Sequence, residues 1–200
     1  MENEHPFTDS SFLIALQQIA AGDQAAFKLV YGSFYKRLYQ FAFAIVKTRE
    51  AAEEIVEDVF IRIWQKREDL SSVRNLRVYL YTATKNTALN YLSKKARESI
   101  AEPFDHINIG LDQSAVTPEQ ILITAEMFKK IQEAIEALPP RCKMIFKLVR
   151  EDGLKYKEIA EILNITVNTI DVQMAIAVKR IASAVEVELG YSLTKKQPRK

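Results

Sequence analysis

The sequence predicts an all-α fold of two helical domains joined by a flexible acidic linker, the C-terminal one a helix-turn-helix, and three observations lead there. Only five Gly and six Pro occur in 200 residues, apolar residues recur at three- and four-residue spacing, and no strand-type alternation stands out. Residues 99–117, SIAEPFDHINIGLDQSAVT, break that period with Pro103, Gly110 and several Asp, Asn and Ser, the composition of a linker. Residues 156–181, YKEIAEILNITVNTIDVQMAIAVKRI, read as two short helices around a tight turn. A hydrophobic content of 48% over this length suits two small cores. The predicted organisation is 1–98, a linker 99–117, a second domain 118–190 and a basic tail 191–200.

Each element carries a local signal. A short helix starts near Asp9. Gly22-Asp23 supplies a stop and then a cap for a helix from about Asp23 to Val46. Thr48 caps a third helix, about Glu50 to Arg67, with Glu50 and Glu53 in its first turns. Ser71-Ser72 interrupts the pattern before a fourth, about Leu76 to Arg97. Beyond the linker an approach helix runs from about Glu119 to Ala137, and Pro139-Pro140 stops and restarts the helix. In the last motif Ile159, Ala160, Leu163 and Ile165 mark an apolar face, with Ala160 small enough for close crossing. Asn164 supplies a left-handed turn in place of the usual Gly. Thr166 caps the following helix, which buries Val167, Ile170, Met174 and Ala177. The same spacing also suits an ordinary helical hairpin.

The charge is uneven. Lys and Arg number 13 against 11 Asp and Glu over residues 1–95, 3 against 8 over 96–137, and 12 against 7 over 138–200. Basic ends flank an acidic middle, which is either a solvated tether or a segment that lies against a basic surface. The sole Cys142 cannot form an internal disulfide, no apolar run reaches the ~18 residues of a membrane span, and MENEHPF does not resemble a signal peptide. A cytoplasmic protein with no direct membrane insertion is expected. His5 lies in a tail, His106 in the linker and Cys142 beside Met144, Ile145 and Phe146. No catalytic or metal site, cofactor or small-molecule substrate is expected, and no enzyme.

The third helix divides its faces: Ile55, Val56, Val59, Phe60 and Ile63 form an apolar stripe, while Glu53, Glu54, Glu57 and Asp58 crowd the other side. Arg62 and Trp64 lie close to the acidic side and belong to the residue types enriched at binding hot spots. The face is either a partner surface or a solvated one with Trp64 in the core.

AAEEIVEDVFIRIW at 51–64 and RNLRVYLYTATKNTALNYL at 74–92 stand in order upstream of the helix-turn-helix. With these segments the chain resembles a bacterial RNA polymerase sigma factor of the extracytoplasmic-function group in the sigma-70 family, over about Gly22–Arg97 and Glu119–Ile181. The resemblance implies a protein that binds core RNA polymerase and promoter DNA, reads the −35 element with the helix-turn-helix and melts the −10 element with the N-terminal domain. It also implies an anti-sigma factor as regulator. Glu54, Glu57, Asp58, Arg62 and Gln65 would contact polymerase; the family often has Gln where Glu57 stands.

Opening a duplex needs cations for single-stranded phosphates and a pocket for an unstacked base. Arg74, Arg77 and Lys85 suit phosphates, Asn75, Asn86 and Asn90 suit base edges, and Tyr79 or Tyr81 offers a ring. The family frequently has Trp at 79 as a core residue, which makes Tyr81 the better stacking candidate. Asn86 either meets a base or supports the fold. In the second domain Asn168, Thr169, Asp171, Val172, Gln173 and Ile176 project toward the major groove, with Lys155, Lys157, Lys179 and Arg180 near phosphates. The family commonly carries Lys or Arg where this chain has Asp171, Val172 and Ile176, so weak intrinsic DNA affinity is expected, and the Val172–Ile176 patch meets either thymine methyls or a protein. The alternative to the whole reading is a stand-alone regulator that binds operator DNA without polymerase.

Overall fold

A computed structural model describes residues 9–99 and 122–189, all helices and short connections with no strand among the described residues. The expected linker 99–117, apart from Ser99, and the tail 191–200 lie outside them, as do His5 and His106. By backbone packing the described residues divide into two compact units, 9–99 with 157–165, and 122–156 with 166–189.

The first unit begins with α1 (Asp9–Ala20). It ends in a Schellman turn: Asp23 N–H donates to Gln18 O at 2.9 Å while Gly22 takes φ 90°, a conformation that favours glycine. Asp23 then caps α2 (Gln24–Val46), its Oδ1 accepting from Ala25 N at 2.8 Å and Ala26 N at 3.2 Å. Val30, Phe34, Leu38 and Phe41 recur on one side of α2 and are buried. At the far end Lys47 takes φ 63°, its N–H closing on Phe43 O. That left-handed residue turns the chain into α3 (Arg49–Gln65), whose predicted apolar stripe, Ile55, Val56, Val59, Phe60 and Ile63, is buried in full.

Thr48 occupies the N-cap position with extended backbone, and its C=O accepts from Ala52 N, but its hydroxyl makes no capping bond. Thr48 Oγ1 is buried without a hydrogen-bond partner among the described residues. A 3-10 turn (Arg67–Ser72), unforeseen as a regular element, buries Leu70 and packs against α1. Helix α4 (Leu76–Ser99) packs on α2 and α3 and buries Leu76, Leu80, Tyr81 and Ala88. Its buried Thr84 is satisfied by a bond to Leu80 O at 2.9 Å.

In the second unit α5 (Leu122–Glu136) and α6 (Pro140–Arg150) both pack against α8 (Val167–Leu189). Pro140 opens α6 as expected for a residue whose missing N–H is no loss in a first turn. Leu138, Cys142 and Ala177 form a buried cluster with Phe146 and Ile181 against it. Cys142 Sγ donates to Gln173 O at 3.2 Å, and burial pushes the thiol's pKa up, only partly offset by the charge of Arg180. The thiol is a core group. Glu136 accepts from Lys143 at 3.0 Å and Lys147 at 3.1 Å; burial acts to raise its pKa, but these two cations outweigh it and the net shift is downward.

Helix α7 (Tyr156–Leu163) buries Ile159 and Ile162. Asn164 follows at φ 54°, the left-handed turn its type suggested. Thr166 then caps α8, its Oγ1 accepting from Thr169 N at 3.1 Å. Val167 departs from expectation: it lies within about 60° of the side defined by Ile170, Met174 and Ala177, yet as the first residue of α8 it is 39% exposed.

Asp23→Ala is expected to lower unfolding free energy by about 1 kcal/mol, whereas Thr48→Val should be neutral or stabilising, since it removes a buried unsatisfied hydroxyl. Urea denaturation of both variants checks the contrast. Glu136 is held below its ordinary pKa, so its contribution is present above the unfolded value and lost as pH falls through the folded one. Glu136→Gln is therefore expected to be less stable than the parent near neutral pH and equally stable in acid, as read from denaturation midpoints across pH.

Candidate polymerase and DNA surfaces

Most of the predicted site residues lie on outward faces of α3, α4 and α8. On α3, Glu54, Glu57, Arg62 and Gln65 are exposed and Asp58 is half-buried, paired with Arg62 at 3.5 Å. This surface pair contributes little to stability. The acidic character of the face is felt at Tyr35, whose phenol is pushed up first by burial and then by Tyr31, Glu53, Glu57 and Tyr39.

Beside these carboxylates runs a groove of about 420 Å³ lined by Phe27, Tyr31, Glu57, Phe60, Ile61, Trp64 and Gln65. Trp64 is neither solvated nor in the core. It is half-buried, its ring 5.0 Å from the Phe27 ring and 5.1 Å from the Arg67 guanidinium. Arg67 is fixed there by a 3.1 Å bond to Trp64 O, so the indole contacts both an aromatic ring and a cation. Tyr31 lies 4.7 Å from Phe60, and Ile61 is 53% exposed. Phe27, Tyr31 and Ile61 were missed in the sequence. Their signal was present: Phe27 and Tyr31 follow Ala26 and Val30 by one residue, outside the core period of α2.

On α4 the structure corrects the stacking candidate. Tyr81 is 1% exposed, its ring 5.1 Å from Phe41, and no base reaches it. Leu80, Thr84 and Ala88 set the inward side, and Tyr81 falls within that arc. The opposite side carries Tyr79, half-buried, with Asn86 and Asn90 exposed, at the four-and-three spacing of one helix face. Tyr79 is the ring available on this surface. Arg77 and Lys85 are half-buried and lie on the Tyr81 side of the helix, each one turn from that ring, and Arg74 is exposed. Asn75 has a structural task as well, its Oδ1 capping α4 by accepting from Val78 N at 3.1 Å. Asn86 is exposed, so the fold does not require it as a buried amide.

On α8, Asn168, Asp171, Val172, Ile176, Lys179 and Arg180 are exposed, and Thr169 and Gln173 are half-buried. The Thr169 hydroxyl meets Thr166 Oγ1 at 2.8 Å. Lys155 and Lys157 are exposed before and at the start of α7. Among the described residues no group of His, Cys, Asp and Glu is placed to hold a metal, and no helix is long and apolar enough to cross a membrane.

Tyr81→Ala is expected to cost about 3 kcal/mol of stability as a core truncation, while Tyr79→Ala should cost under about 1 kcal/mol. Thermal or urea unfolding of the two variants separates the core ring from the surface one.

Two family profiles match the chain: Sigma-70 region 2 over residues 30–98 and Sigma-70, region 4 over residues 128–181. The ECF RNA polymerase sigma factor SigW of Bacillus subtilis is 27% identical over 161 residues, covering 78% of this chain and 86% of that protein. The ECF RNA polymerase sigma-E factor of Escherichia coli K12 is 25% identical over 163 residues, covering 78% and 85%. Two solved structures share the fold. One is the sigma factor RpoE with the anti-sigma factor NepR from Bartonella quintana (TM-score 0.56, 21% identity, 81% of this chain and 98% of that one). The other is CnrH with the cytosolic domain of CnrY (TM-score 0.54, 17% identity, 88% and 97%). With region 2 matched over α2 to α4 and region 4 over the segment that contains the helix-turn-helix, the chain belongs to the sigma-70 family, among the extracytoplasmic-function sigma factors.

Proposed function

We propose that this chain binds core RNA polymerase and directs promoter-specific initiation, with residues 1–98 as the polymerase-binding and melting domain and 118–190 as the domain that reads the −35 element. The observation that carries the reading is the pairing in one chain of a region 2 match with a region 4 match, each coinciding with outward faces of the right chemistry. Polymerase meets α3 through Glu54, Glu57, Asp58, Arg62 and Gln65, with the Phe27–Trp64 groove beside them supplying apolar area that charges alone lack.

Melting of the −10 element falls to α4. Arg74, Arg77 and Lys85 draw the single strand's phosphates, Asn86 and Asn90 offer amides to base edges, and Tyr79 offers a stacking plane. Asn75 joins them from the α4 cap. Exposed α8 residues Asn168, Asp171, Val172, Ile176, Lys179 and Arg180, with Thr169 and Gln173 at their edge, face duplex bases and phosphates, helped by Lys155 and Lys157. The chain itself catalyses no reaction; nucleotide addition stays with polymerase, and both act in the cytoplasm. An anti-sigma factor is the regulator this reading includes, supported by the two structural neighbours, one solved with an anti-sigma factor and the other with a cytosolic partner domain.

Run-off transcription with purified core polymerase on a promoter library tests the assignment. Asp58→Arg is expected to abolish holoenzyme formation, read by co-migration with core. Lys85→Ala and Tyr79→Ala should leave holoenzyme intact and slow opening, read by permanganate reactivity of unpaired thymines. Lys179→Ala should reduce the salt slope of promoter binding by about one. Duplex binding with no polymerase-dependent transcription would instead support a stand-alone regulator.

A further inference from the structure

We infer that the outward face of α8 reads thymines through their C5-methyl groups, with Val172 and Ile176 as the specificity-determining side chains. This rests on the promoter-binding reading above and goes further by naming the base chemistry recognised. Ile170, Met174 and Ala177 are buried and define the inward side of α8. At about 100° per residue, Val172 lies about 170° from their mean direction, and Ile176 falls on the same outward side one turn on. A side chain aimed away from its own core has no packing reason to be aliphatic, yet Val172 is 48% and Ile176 36% exposed.

The surroundings select the occupant. Asn168 and Lys179 share this face, with Arg180 at one edge and Asp171 at the other, all exposed. A narrow aliphatic stripe with cations beyond its end and along one edge complements a major groove, where phosphates line both sides and the thymine methyl is the one apolar group on a base-pair edge. Gln173, on the neighbouring edge, is a residue type that pairs with adenine, thymine's complement. Two aliphatic side chains fall far short of the roughly 800 Å² per partner of a standard protein interface.

The test uses the full chain with core RNA polymerase. The upstream element is first selected from a randomised promoter library; its thymines are then replaced by deoxyuridine, which deletes only the methyl. Each replacement under the stripe is expected to weaken wild-type holoenzyme binding about four-fold, the effect of one methyl-sized apolar group. Val172→Ala with Ile176→Ala should bind the thymine promoter more weakly and no longer distinguish it from the deoxyuridine one. Both sites are surface positions, and circular dichroism confirms the fold. Equal wild-type binding to both promoters, a selected element lacking thymine, or a variant that still discriminates would overturn the inference. So would loss of a protein partner by the variant with methyl discrimination retained. Absence of any polymerase-dependent transcription would overturn the initiation-factor reading and the inference with it, whereas transcription that ignores the methyls overturns the inference alone.

Discussion

Burial of one face of each helix against its neighbours is the constraint on which the remaining structure depends, and α3 shows it most plainly. Its stripe of Ile55, Val56, Val59, Phe60 and Ile63 is packed against α2 and α4. Rotating the helix by even one residue, about 100°, would drive Glu54 or Glu57 into that core and expose the stripe. The rotational phase is therefore locked, and the carboxylates point outward as a necessary complement of the packing. The same logic sets Tyr79, Asn86 and Asn90 outward on α4, and Val172 and Ile176 outward on α8.

Where the helices stop matters as much as how they pack. Gly22, Lys47, Gly153 and Asn164 all adopt positive φ, and each ends a helix or leads out of one. Gly153 permits Leu154 N–H to reach back to Leu148 O at 3.0 Å after α6. Asn164 releases the chain so that Thr166 is free to cap α8, whose first turn then presents Asn168 and Thr169. For Lys47 and Asn164 this conformation carries a steric penalty that glycine would avoid; for Asn the short polar side chain lessens it.

Trp64 connects core and surface. Its ring is half-buried and in contact with both Phe27 and Arg67. A rigid aromatic half-buried at the edge of a groove loses little conformational freedom when a partner covers it. That gives the acidic face of α3 an apolar neighbour already in place, consistent with a contact whose charges supply steering and whose groove supplies affinity.

The order of the α-helices among the described residues, the caps at Asp23 and Thr166, the left-handed Asn164, the apolar stripe of α3 and the family itself were legible in the sequence, because each depends on residues within a turn or two of one another. Tyr81 and Tyr79 were not assignable that way: both are aromatic, two positions apart on α4, and only the presence of Phe41 on the packed side makes one a core residue. Thr48 likewise has a capping residue's identity and place, yet its hydroxyl makes no capping bond. The groove of Phe27, Tyr31, Ile61 and Trp64 joins residues of two helices, and no one-dimensional period reports such a pairing. Local propensity and periodicity thus determined the elements and their apolar sides; which side chain at the margin of each side is buried was decided by the neighbouring helix, since burial is a property of contacts between segments distant in the chain.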